Sequence, residues 1–75
     1  MNKKDQKIIA DSEAAGIPIF VLKASDRCAL AAIQAYFNQC HALGCNEEHL
    51  EGIRVRLEEF HRFRQNNPKD MKVPD

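Results

Sequence analysis

Hydrophobic and polar positions divide this chain into unlike stretches. After Met1, residues up to Gly16 are polar and mixed in charge, with Ile8 and Ile9 as the only bulky apolar side chains. A segment with so little apolar surface predicts a mobile arm or a loosely held helix over residues 1–16. The next stretch, "GIPIFVLKASD", is different. Gly16 and Pro18 punctuate it, and Ile17, Ile19, Phe20, Val21 and Leu22 favour extended structure. Residues 17–24 are therefore the one strand candidate. Alternation places Ile17, Ile19 and Val21 on one face and Phe20 and Leu22 on the other, so both faces are apolar and both want cover.

The pattern then changes to a helical period. Ser25 or Asp26 is placed to cap a helix over residues 26–43 that stops at Gly44, a residue suited to a left-handed C-terminal position. Leu30, Ile33, Tyr36, Phe37, Cys40 and Leu43 share one broad stripe at 100° per residue. Between Cys28 and Leu43 there is no Lys, Arg, Asp or Glu. Ala31, Ala35 and Ala42 form a second strip of small residues, which predicts close approach by a neighbouring element. Asn46 caps a second helix over residues 47–65, with Glu47 and Glu48 in its first turn where the macrodipole favours carboxylates. Leu50, Ile53, Leu57 and Phe60 form its core stripe, with Phe63 at the edge. Asn66, Asn67 and Pro68 halt it.

Only Gly44 and Cys45 separate the two helices, and so short a connection predicts an antiparallel αα-hairpin. The tail, residues 66–75, offers Met71 and Val73 as anchors onto it. The expected fold is thus mainly α: a mobile arm over residues 1–16, then a single domain over 17–75 made of one extended apolar segment, a two-helix hairpin and a tail.

Length sharpens this picture. At 75 residues a chain buries only about 60% of the surface its unfolded form exposes, so it needs disulfides, a metal or oligomerisation. Three cysteines do not close a disulfide framework. No N-terminal run resembles a signal peptide, and "IPIFVL" falls far short of the roughly 20 residues that span a bilayer. These features predict a cytoplasmic protein with reduced thiols and no membrane association. Eleven basic and eleven acidic residues give a formal net charge of zero, which supplies no overall field toward nucleic acid or an anionic surface.

The only metal-like constellation is "QCHALGCNEEHL". A corner between helices can bring Cys40, Cys45 and His49 together, but zinc wants four ligands. Cys28 lies about 18 Å from Cys40 along the helix, His41 points about 100° away from Cys40, and no C-x2-C pair is present. The expectation is no cofactor, with Cys40 in the core, Cys45 in a turn and His49 in a first helical turn. Cys45 beside His49 suggests no oxyanion hole, and so small a chain has little wall for a pocket, so no enzymatic activity is expected.

Arg54, Arg56, Arg62, Arg64, Lys69 and Lys72 raise nucleic-acid binding as the alternative function, with Arg62, Arg64, Lys69 and Lys72 the basic cluster nearest the C-terminal end. The face opposite the core stripe weakens it, because Glu47, Glu48, Glu51, Glu58 and Glu59 make that face acidic. Protein–protein interaction is the leading expectation. The lone apolar segment, the uncharged first helix and the scarce core share one remedy, a second copy or an unidentified protein partner. The expected interface residues are Ile19, Phe20, Val21 and Leu22, with Ala31, Ala35 and Tyr36.

The runs "PIFVLKASDRCALAAIQAY", "LGCNEEHLEGIRVRLEEFHRF" and "NNPKDMKVPD" resemble short proteins of no assigned activity encoded in bacterial prophages and mobile elements. Those chains place a P-[IV]-F-V-L-x-A-x-D segment before two helices and end in a proline-containing tail. The resemblance spans residues 18–75. It implies a bacterial or phage origin and carries over no active-site residue.

Overall fold

The computed structural model describes residues 2–75. Three helices account for most of them: α1 (Lys3–Ala15), α2 (Ala29–Ala42) and α3 (Glu47–Asn66), followed by a short 3-10 turn at Pro68–Asp70. The structure is thus mainly helical, as the apolar periods of α2 and α3 predict.

The segment expected as a mobile arm or loosely held helix forms α1. Its ends are locally specified: the Asn2 side chain accepts from the Asp5 amide at 2.8 Å, and Gly16 closes the C-terminus in the left-handed conformation at φ 70°. Lys7 and Asp11 add an exposed pair one turn apart at 2.6 Å. None of its residues is buried. A 13-residue helix is marginal in isolation, so α1 depends on the residues laid beside it.

Residues 17–23 have no regular secondary structure, in contrast to the expected strand. The reason is the absence of a partner: a strand is held by a ladder, and the one bridge among the described residues is a single parallel pairing of Asp26 with Lys72. That bridge also explains why α2 begins at Ala29 rather than at residue 26. Lys72 donates to the Ser25 carbonyl and the Arg27 amide donates to Lys72, each at 2.8 Å, which ties residues 25–27 to the tail instead of to a helix. The Asp26 carboxylate meanwhile accepts from the Cys28 amide at 2.7 Å.

α2 and α3 pack on each other around Cys40, Leu50 and Ile53, with Ile33, Phe37, Cys45 and Leu57 half-buried against them. Met71 is buried as an anchor of the tail, whereas Val73 is exposed. Tyr36 and Leu43, assigned by periodicity to the core stripe of α2, are exposed instead. The core is small: among the described residues the buried hydrophobics are Ala29, Cys40, Leu50, Ile53 and Met71, and no large side chain is fully buried.

The connection turns at Gly44, φ 77°, where the Cys45 amide donates to the Cys40 carbonyl at 2.9 Å. A Cβ at Gly44 would meet nothing within 4 Å, so only backbone conformation opposes a larger residue. Gly44→Ala is accordingly expected to lower unfolding free energy by about 1–2 kcal/mol. Urea denaturation followed by circular dichroism measures this directly.

The Cα radius of gyration is 13.7 Å, against about 11 Å for a compact domain of this length. Accessible surface is 6120 Å2, whereas folded monomers of this mass expose about 4,700 Å2. The chain therefore leaves uncovered about 1,400 Å2 more than a monomer of its size ordinarily does.

Candidate functional site

Several of the exposed apolar side chains border one groove. α1 makes no close backbone approach to α2 or α3, and the gap beside it is edged by the extended segment. The resulting cavity, about 490 Å3, is lined on the α1 side by Asp5, Ile8 and Ile9, along the extended segment by residues 19–22, and on α3 by Arg56 and Phe60. Phe20 is 85% exposed and Val21 67%; Ile8 and Ile19 are exposed as well, while Ile9, Leu22 and Phe60 are half-buried. One ion pair lies at this groove, Arg56 with Asp5 at 3.7 Å, and the same Arg56 holds Glu59 at 2.6 Å.

Four of the expected interface residues, Ile19, Phe20, Val21 and Leu22, are thus brought together on this surface. Ala31, Ala35 and Tyr36 are exposed on α2 but do not line it. The Tyr36 hydroxyl lies 3.1 Å from His49 Nε2, with the rings edge to face. Ile8, Ile9 and Phe60 belong to the groove without having been predicted there. The adjacent isoleucines in an otherwise polar segment were the available signal for the first two. Phe60 follows the core period of α3, and nothing in the sequence marks it as half-open.

The cysteines and histidine do not assemble a metal centre. Among the described residues no three His, Cys, Asp or Glu side chains are close enough to hold an ion. Cys40 is buried, Cys45 half-buried, and His49 engages Tyr36. Hydrogen bonding with Cys40 raises the Cys45 thiol above its ordinary range. The same cysteine raises the Tyr36 phenol.

The basic residues of α3 are mostly neutralised. Arg54 pairs with Glu47 at 2.6 Å and Glu51 at 3.0 Å, which raises its own pKa through those bonds, and its guanidinium lies 5.3 Å from the centre of the Phe37 ring. Arg62 pairs with Glu58 at 2.7 Å. Exposed pairs like these contribute at most about 1 kcal/mol each, yet they leave few free cations on the helix. The four residues of the expected nucleic-acid cluster are not gathered in one groove: Arg64 borders a cleft with Arg27, Lys72 borders another with Lys23 and Asp26, Arg62 is paired, and Lys69 sits in the 3-10 turn.

Among the described residues no helix is long and apolar enough to cross a membrane. No family model, curated protein or solved structure matches the chain.

Proposed function

We propose that this protein is a small, non-enzymatic interaction module of the cytoplasm that self-associates, with the groove between α1, the extended segment and Phe60 as its contact surface. The observation that carries this reading is the uncovered apolar surface. Phe20, Val21, Ile17 and Ile8 are all more than half exposed, and they lie on or beside one groove rather than scattered singly. The surplus of about 1,400 Å2 over an ordinary monomer exceeds the roughly 800 Å2 that each partner contributes to a standard interface. A second copy is the occupant this favours, because a two-fold contact sets each groove against a surface of the same apolar character. The two-helix hairpin of α2 and α3 acts in this reading as the rigid support for the groove.

Native mass spectrometry of the untagged protein tests it. A dimer is expected, and a monomer at micromolar concentration would refute self-association. Such a result would transfer the groove to a different protein.

A further inference from the structure

Three of the five arginines in the chain, Arg54, Arg56 and Arg62, hold carboxylates at 2.6–2.7 Å. The other two do not. Arg27 and Arg64 have no ion-pair partner among the described residues, and both border one cleft of about 390 Å3 completed by Gln65, Pro68 and Met71. They come from segments 37 positions apart in sequence, and the bridge between residues 25–27 and the tail brings those segments together.

No acidic residue borders this cleft. Asp26, next to Arg27 in sequence, lines the neighbouring cleft instead, and one of its carboxylate oxygens accepts from the Cys28 amide. Two guanidinium charges bordering one cavity repel each other. Met71, 9% exposed, and Pro68 give the cleft an apolar side, where Coulomb attraction is screened less than in bulk water. Guanidinium forks match tetrahedral oxyanions through paired N–H donors, and the Gln65 amide supplies further donors.

We infer that the cleft between Arg27 and Arg64 is a binding site for a phosphate-type oxyanion. An anion seated there relieves the repulsion between the two guanidiniums and receives donors from both. The site shares no lining residue with the apolar groove, so it stands or falls independently of self-association. Of the cluster read from the sequence it retains only Arg64; its other cation, Arg27, was not part of that cluster.

Pyrophosphate titration followed by 1H–15N NMR tests the site at constant ionic strength. Saturable shifts confined to Arg27, Arg64, Gln65 and their neighbours are expected. Arg64→Gln and Arg27→Gln should each weaken binding at least tenfold, whereas Arg62→Gln should change it less than twofold. Arg27 contacts the tail through its main-chain amide, which the substitution retains, and circular dichroism of each variant verifies that the helices persist. A short single-stranded oligonucleotide run in parallel distinguishes the sources: displacement of the oligonucleotide by pyrophosphate, with both lost in Arg64→Gln, assigns the site to nucleic-acid phosphate. Saturation by pyrophosphate without oligonucleotide binding assigns it to a free phosphate compound. Failure of both probes to saturate, or equal shifts at Arg54, Arg56 and Arg62, overturns the inference.

Discussion

Phe20→Asp is expected to convert the self-associated protein to a monomer with unchanged helix content. The side chain is 85% exposed within one chain, so it contributes little to that chain's own folding, and its replacement leaves no cavity. In the proposed dimer the same ring is covered. Burying a phenylalanine contributes about 1.5–3 kcal/mol, and a two-fold contact loses this twice, about 3–6 kcal/mol in all. Each 1.4 kcal/mol is a factor of ten in affinity, so the affinity of the two copies for one another should weaken by roughly two to four orders of magnitude. The introduced carboxylate adds a desolvation penalty in the same direction. Sedimentation equilibrium and far-UV circular dichroism read the two halves of this outcome separately. A variant of unchanged mass would remove Phe20 from the interface, and one that lost its helices would show that the extended segment holds the monomer together.

How much of this architecture was legible in the sequence follows from the range of the interactions involved. α3 was legible nearly to the residue because its signals are local: an Asn46 side chain accepting from the His49 amide at 2.8 Å, acidic residues in the first turn, and an apolar period that buries Leu50 and Ile53. The turn at Gly44 is equally local. The start of α2 was misplaced by three residues, because Asp26 is bridged to Lys72 through the Ser25 carbonyl and the Arg27 amide, a partner 46 positions away that no local pattern indicates. α1 was hidden for the opposite reason. Its cap and its Lys7–Asp11 pair are visible in sequence, but it buries none of its residues, so the apolar period that reveals most helices is missing.

The candidate site divides along the same line. The exposure of "IPIFVL" was foreseeable, since a lone strand-like segment has no ladder to join, and residues 19–22 do line the groove. Its opposite wall comes from Ile8, Ile9 and Phe60, which only the folded chain sets facing that segment. Among the described residues, no element of the same chain covers the alanine strip of α2 at Ala31 and Ala35. Ala31 and Ala35 are exposed, consistent with alanine simply favouring helix.

The largest effect on the fold itself is expected from Leu50→Ala. Leu50 is 5% exposed at the centre of the cluster with Cys40 and Ile53, and truncating such a side chain costs about 2–5 kcal/mol, the upper values applying where the surroundings cannot close the cavity. Domains have about 0.05–0.15 kcal/mol of stability per residue, or about 4–11 kcal/mol for a chain of this length, and a core with five buried hydrophobics among the described residues places this one at the low end. The substitution therefore removes half or more of the available stability. The paired control is Leu43→Ala at the end of α2, where the side chain is 74% exposed and the expected change is within about 0.5 kcal/mol. Both are measured by urea unfolding at two protein concentrations, because association stabilises the folded state by mass action. If Leu50→Ala unfolds the chain at low concentration and recovers helix content at high concentration, folding and self-association are one linked equilibrium. A loss at both concentrations no greater than that of Leu43→Ala would mean that α2 and α3 are not held by this core.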